Sequence, residues 1–358
     1  MKKVLFASTA LAAVALTGTA QAADPIKLGL GGYFNLQAIN VSQDNDAGRR
    51  TMDIWREGEV FFVGSTKLDN GITVGVNVQL EAETCGDQID ESFVFFSGGF
   101  GQIEAGAVRG PGFKLTVSPP ASDPNFDGLL PNFVPVAQPA GNSVTTTFVL
   151  PGTLGSGTGG AEKLSYMTPK FGGFQAGVAW TPNSTCEWGT CGTGGFPSQE
   201  STGAGQLDDM IQVGAQFGGD FGGAKVAIGG GYETGEAGGT ASDGTIWGVG
   251  ARAATAGFTV GAYYGKTEFA GSTLDQTNWQ LGASYTAGAL TGGATYTKLE
   301  RDTGGTDDEL SRIQLGAIYS MGPGVDLRGS VGFYQFDGAT AADQSDATVF
   351  ALGTRMAF

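Results

Sequence analysis

Ile72-Thr-Val-Gly-Val-Asn-Val-Gln-Leu-Glu-Ala82 places an apolar residue at every even position and a polar residue or Gly at every odd one. Successive side chains of an extended chain point to opposite faces, so this period of two predicts a strand with one oily face and one moist face. The pattern returns in Met210–Phe217, where Ile211, Val213, Ala215 and Phe217 oppose Gln212, Gly214 and Gln216. From Asn278 to Tyr285, Trp279, Leu281, Ala283 and Tyr285 oppose Asn278, Gln280, Gly282 and Ser284. Sixteen such segments are expected, at 26–40, 51–66, 71–83, 89–98, 101–109, 161–169, 173–181, 207–218, 223–234, 244–254, 257–268, 275–286, 289–300, 309–320, 325–337 and 345–358.

The connections alternate in length. Tight turns such as Leu68-Asp-Asn-Gly71, Gly98–Gly101, Phe171-Gly-Gly173, Thr286-Ala-Gly288 and Met321–Gly324 take every second junction, and longer polar loops take the rest. An even strand count, strands near ten residues and one trim end are what a closed, membrane-spanning antiparallel barrel requires. A soluble sandwich also alternates, but its outer face is charged. Here the polar face is mostly Gly, Gln, Asn, Ser and Thr, while Tyr232, Trp247, Tyr264, Trp279, Tyr285, Tyr296 and Tyr319 all fall on the apolar face, as interfacial girdles do. In hydrocarbon a sheet must close to leave no unpaired backbone edge. The fold class is therefore all-β, a 16-stranded antiparallel transmembrane β-barrel. In the last strand Phe350, Leu352, Met356 and Phe358 share one face and Arg355 takes the other, a terminal pattern that outer-membrane insertion machinery recognises.

Composition excludes several alternatives. The 63 Gly residues disfavour helices, and no stretch after residue 22 approaches the roughly 20 apolar residues of a helical span. With no His, a Ser-His-Asp hydrolase or a His-ligated zinc site cannot be built, and no enzyme is expected. The net charge of −16 argues against a nucleic-acid partner. Residues 1–22 read as a signal peptide: Lys2 and Lys3 precede the apolar Val4–Leu16 run, and Ala20-Gln-Ala22 has the form of a cleavage site. Residues 23–358 then form the barrel.

Two segments carry a family resemblance. Gly64-Ser-Thr-Lys-Leu-Asp-Asn-Gly71 joins two strands within Glu57–Glu83, and the second closes on Gln79-Leu-Glu81. Lys163-Leu-Ser-Tyr-Met-Thr-Pro-Lys-Phe-Gly-Gly173 is similar to a strand, Pro and Phe-Gly-Gly turn. With Phe358 at the end, the chain resembles the general bacterial porins of Gram-negative outer membranes, in the alphaproteobacterial branch. The resemblance implies a homotrimer of 16-stranded barrels embedded among outer-membrane lipid and lipopolysaccharide, each a water-filled channel for passive diffusion of small hydrophilic solutes and ions. It also implies that the loop after the fifth strand folds inward as a constriction.

That loop would be 110–160. It holds eight of the thirteen prolines, and it is too apolar for a solvated loop, with Phe113, Leu115, Phe126, Leu129, Leu130, Phe133, Val134, Val136, Phe148 and Leu150. The second and fourth strands offer a wall for it, because Val60–Val63 and Phe93–Phe96 are apolar on both faces. A mobile external loop is the alternative. Strand parity puts Arg312, Arg328, Arg355, Arg252 and Lys225 on the lumen side, with Glu57, Glu59, Glu81 and Glu104 facing them as the acidic side. In many general porins the basic cluster lies on early strands and the loop supplies several acids; here the loop carries only Asp123 and Asp127 against Lys114. The acidic excess predicts mild cation selectivity.

Other motifs carry less. Gly155-Ser-Gly-Thr-Gly-Gly160 matches a dinucleotide fingerprint but follows no strand and opens no helix, and Gly265-Lys-Thr267 lacks the Gly a phosphate loop needs. Cys186 and Cys191 could bridge within one outer loop, or either could pair with Cys85. No cofactor is expected; Asp302, Asp307, Asp308 and Glu309 could bind Ca²⁺ or meet lipopolysaccharide through divalent ions, or simply be a hydrated loop. Two further functions remain open on the same fold: a substrate-selective channel, and a plugged structural or adhesive barrel.

Overall fold

The computed structural model describes residues 25–82, 89–120, 135–146, 150–152, 154, 160–184, 207–238, 243–272 and 274–358. Sixteen strands are present: β1 (Lys27–Gln43), β2 (Met52–Lys67), β3 (Thr73–Glu81), β4 (Ile89–Gly98), β5 (Gly101–Ala107), β6 (Glu162–Met167), β7 (Phe174–Asn183), β8 (Leu207–Phe221), β9 (Ala224–Ala237), β10 (Gly244–Thr255), β11 (Phe258–Glu268), β12 (Asp275–Ala287), β13 (Leu290–Arg301), β14 (Asp308–Gly322), β15 (Val325–Asp337) and β16 (Ser345–Ala357). Each boundary lies within three residues of the one expected from periodicity. Every strand pairs antiparallel with its sequence neighbours, and β1 pairs with β16 to close the barrel. At that seam Gly32 and Phe358 exchange backbone hydrogen bonds of 2.9 and 3.0 Å.

The sheet is inverted relative to a soluble protein. Leu30, Phe34, Ile211, Val213, Leu281, Ile313 and Leu352 are exposed on the outside, while Asn35, Gln37, Gln212, Gln276, Asn278, Gln280 and Gln314 are buried on the inside. Lipid solvates the first set, so its exposure to hydrocarbon carries no hydrophobic cost. The expected aromatics point outward and pair across strands, with ring centroids 5.6 Å apart for Trp247–Tyr264 and 4.9 Å for Trp279–Tyr296. Nearer the short turns, Phe258 and Tyr285 pair at 4.4 Å. From Trp279 to Tyr285 is six residues, about 20 Å along a strand, which is the spacing of two interfacial girdles around an apolar band. No helix among the described residues is long and apolar enough to cross a membrane; strands cross instead.

The apolar core lies inside the barrel. Ile39, Leu299, Leu310, Tyr334, Phe336 and Val349 of the wall pack on Val136, Val144 and Leu150, which belong to the segment after β5. A smaller cluster joins Leu154 to Leu207, Met210 and Ile246. The receiving wall therefore differs from the one expected. Most apolar contacts come from β1, β11 and β13–β16; from β2 Trp55 packs on the same cluster, and from β4 Phe93 lies under the Lys114 ammonium at 5.4 Å. The physical reason is that the aliphatic and aromatic lumen residues of the late strands sit near the long-loop ends, where the returning chain passes.

Candidate functional site

Gly110 leads into a four-residue helical turn, α1 (Pro111–Lys114), with Pro in its first turn, where a missing N–H is tolerated. The chain then crosses the inner wall along a track of glycines. Gly177, Gly214 and Gly231 are directly paired across β7, β8 and β9, and a Cβ on Gly177 or Gly231 would lie 2.7 or 2.6 Å from Pro111 or Gly112. Gly229 pairs with Gly250, where a side chain would strike the carbonyls of Leu115 and Val117 respectively. Gly261 pairs with Gly282 beneath Pro119. Only a wall without side chains lets backbone seat on backbone here.

Both stems of the loop are clasped at one place. The Gly112 N–H donates to Gln212 Oε1 at 2.8 Å. On the return, Gly152 N–H and Leu154 N–H donate to Glu233 Oε2 at 2.7 and 3.2 Å, and Gln212 Nε2 donates to Glu233 Oε1 at 3.3 Å. Glu233 is only 2% exposed, so these donors replace the water it gave up. Between the stems, Asn142 Nδ2 donates to the carbonyls of Asp337 and Asp343, Ser143 donates twice to Asp308 Oδ2 at 2.7 Å, and Thr145 exchanges hydrogen bonds with Gln276.

The acidic side is a continuous wall on β2–β5. Glu57, Glu59, Glu81 and Glu104 face the lumen, joined by Glu91. The Tyr33 hydroxyl lies between Glu57 and Glu59, 2.8 Å from the latter, and Asn35 donates to Glu57. The chain's own cations neutralise the far end. Lys114 Nζ is 2.6 Å from Glu104, whose side chain is 3% exposed, and Arg109 lies 3.5 Å from Glu91 and 3.7 Å from Asp90. A cavity of about 310 Å³ opens among Glu91, Arg109, Phe113, Lys114, Thr116, Ser118 and Leu150.

The five basic residues also face inward but not as one cluster. Arg312 is buried over the Tyr334 ring at 5.8 Å, Arg328 pairs with Asp326 at 3.0 Å, and Arg355 stacks over Tyr33 at 4.3 Å. On β16 Arg355 reaches the acidic wall across the β16–β1 seam through Tyr33, and Arg328 and Arg312 follow on the next two strands. Lys225 and Arg252, on β9 and β10, lie about half the ring from β2 and β3 and form the basic side that opposes it.

Parity missed several residues. Glu91 shares parity with Phe93 and Phe95 on β4, and the register shift falls one residue earlier, at Asp90, so counting along the strand places it in the lumen. Arg109 lies beyond the end of its strand. Glu233 shares parity with Lys225, so the same count along β9 would have found it. Asp123, Asp127, Cys85, Cys186, Cys191, most of the 155–160 glycine motif and residues 1–22 lie outside the described residues. The acidic group near 302–309 does not converge: Asp308 receives Ser143, Glu309 pairs with Lys298 at 3.1 Å on the outer face, and Asp302 accepts from Gly304 N–H. Among the described residues no three or more acidic or Cys side chains group as a metal site.

The model of the Gram-negative porin family matches residues 7–339. No curated protein matched the chain. Among solved structures, an anion-selective porin from Comamonas acidovorans is similar at 18% identity and a TM-score of 0.67, covering 93% of this chain and 100% of that one. OmpT of Vibrio cholerae in a trimer form is similar at 14% identity and a TM-score of 0.64, covering 94% and 100%. A mutant of Rh. blastica porin is similar at 18% identity and a TM-score of 0.58, covering 93% and 100%. At these identities the structures establish a shared fold. With the family model spanning most of the sequence, a closed barrel inverted for lipid and a loop seated in its lumen, the chain belongs to the Gram-negative porins, outer-membrane channels for passive diffusion.

Proposed function

We propose that the mature chain, freed of residues 1–22, works as a homotrimer that admits small hydrophilic solutes and mildly prefers cations, with no catalytic step and no cofactor. The observation that carries the preference is the unbroken glutamate wall of β2–β5 facing the lumen beside a chain-wide acidic excess. The 110–160 segment narrows the passage because both of its stems are fixed to the wall by Gln212 and Glu233. The apolar outer faces of β1–β4, with Leu30, Phe34, Val94 and Phe96, support packing against neighbouring barrels. Outward ion pairs near the long-loop ends, Lys266 with Asp275 and Lys298 with Glu300, lie where lipopolysaccharide headgroups would meet the barrel.

Planar-bilayer recording on purified protein tests this reading. Conductance steps grouped in threes and a reversal potential favouring potassium over chloride are expected; a potential favouring chloride contradicts the selectivity. A substrate-selective channel draws support from the cavity where Phe113 and Leu150 adjoin Arg109 and Lys114. Saturable block by one solute class would identify it.

A further inference from the structure

Lys225 and Arg252 stand apart from every other lumen cation described above. Arg312 is buried, Arg328 has Asp326, Arg355 has Tyr33, and Arg109 and Lys114 have glutamates. Lys225 and Arg252 are exposed to the lumen, and their side chains make no ion pair or hydrogen bond among the described residues. In the β9–β10 register Lys225 pairs with Ala254 and Arg252 with Ala227, which sets the two cations on one diagonal of the same face. Diagonal neighbours lie about 7–8 Å apart at the backbone, within the reach of these long side chains.

Together they line a cavity of about 380 Å³ with Thr259 of β11 and Pro120 of the inserted segment. Among the described residues no Asp or Glu lines it. The nearest acid along the ladder, Asp220, is the strand partner of Lys225, yet it turns to accept from Gly223 N–H at 3.0 Å. Pro120 borders the cavity because the glycine track seats Pro119 on Gly261 and Gly282 and brings the Pro120 carbonyl onto Gly282. The site therefore has an ammonium, a guanidinium and a free hydroxyl as donors, on apolar walls, at the short-turn side of the constriction.

We infer that this cavity is a binding subsite for the oxyanion of a small solute, a carboxylate or a phosphate. A guanidinium forks onto two oxygens of such a group while an ammonium supplies a point charge, and the glutamate wall across the lumen repels the same group toward them. The subsite gives anions a holding point in a lumen that otherwise disfavours them. This rests on the channel reading above and refines it.

Proteoliposomes carrying the full mature chain test it, with uptake of gluconate measured against glucose, which matches it in size but lacks the charge. The Lys225→Ala/Arg252→Ala double variant should lower the gluconate-to-glucose ratio severalfold, and the charge-preserving Lys225→Arg/Arg252→Lys exchange should hold it. In bilayers, inorganic phosphate added at the short-turn side should reduce current saturably in the natural protein and not in the alanine variant. Phosphate block without a gluconate effect assigns the subsite to phosphate, and the converse assigns it to carboxylates. An unchanged ratio together with unchanged phosphate block overturns the inference while glucose entry keeps the channel reading; no glucose entry at all overturns both.

Discussion

Replacing Glu233 by Ala removes the acceptor that fixes the returning stem of the loop. Two backbone donors, Gly152 N–H at 2.7 Å and Leu154 N–H at 3.2 Å, and the Gln212 amide at 3.3 Å lose their partner. Hydrogen bonds to a charged group contribute about 1.5–3 kcal/mol each, so the two from the loop give about 3–6 kcal/mol. Relief of the buried carboxylate's desolvation offsets part of this and leaves a net cost of about 3 kcal/mol. That shifts the seated-to-released equilibrium about a hundredfold. Glu233→Gln is milder. Both loop donors bind the same oxygen, Oε2, which a glutamine carbonyl can supply as a neutral acceptor, so the bonds survive at about 0.5–1.5 kcal/mol each and the loss is the charge and the amide now facing the Gln212 amide. Single-channel current should therefore become noisier in the order natural protein, Glu233→Gln, Glu233→Ala, with larger mean conductance in the last. The ladder of sixteen strands is untouched, so the heat resistance of the folded barrel on gels should hold. A folded Glu233→Ala channel with unaltered noise and conductance would refute the clasp.

Two further perturbations test the seat and the charge arrangement. Gly250→Leu places a side chain where the Val117 carbonyl lies, so the segment should move toward the axis, and conductance and the size limit in liposome swelling should both fall while the barrel still assembles. Lys114→Ala strips Glu104 of its partner at 2.6 Å, and the reversal potential in a salt gradient should move further toward cations; a move toward chloride would contradict the assignment of that wall.

The alternation of Ile72–Ala82 and its fifteen counterparts is a local property of the pleated backbone. It could be read without knowing where any strand goes, and it set the strand boundaries and the face of each lumen residue. Reading which residues act together needed closure. Closing the ring puts Lys225 and Arg252 across from Glu57 and Glu59, while Arg312, Arg328 and Arg355, which look like the same basic side when counted along the chain, fold round toward the β1–β16 seam, where Arg355 meets Tyr33 beside the acids. Glu91 shares the parity of Phe93 and Phe95, yet only the folded chain brings Arg109 and the loop cation Lys114 to its side of the lumen. The loop's seat was equally hidden, because glycine spacing within one strand carries no hint that Gly177, Gly214 and Gly231 form a line across three. Glu233 meets Gly152 across 81 positions of sequence. Periodicity fixes which way a side chain points, and only the closed barrel with its inserted loop decides what it meets, because that depends on strand number, register and the space left inside.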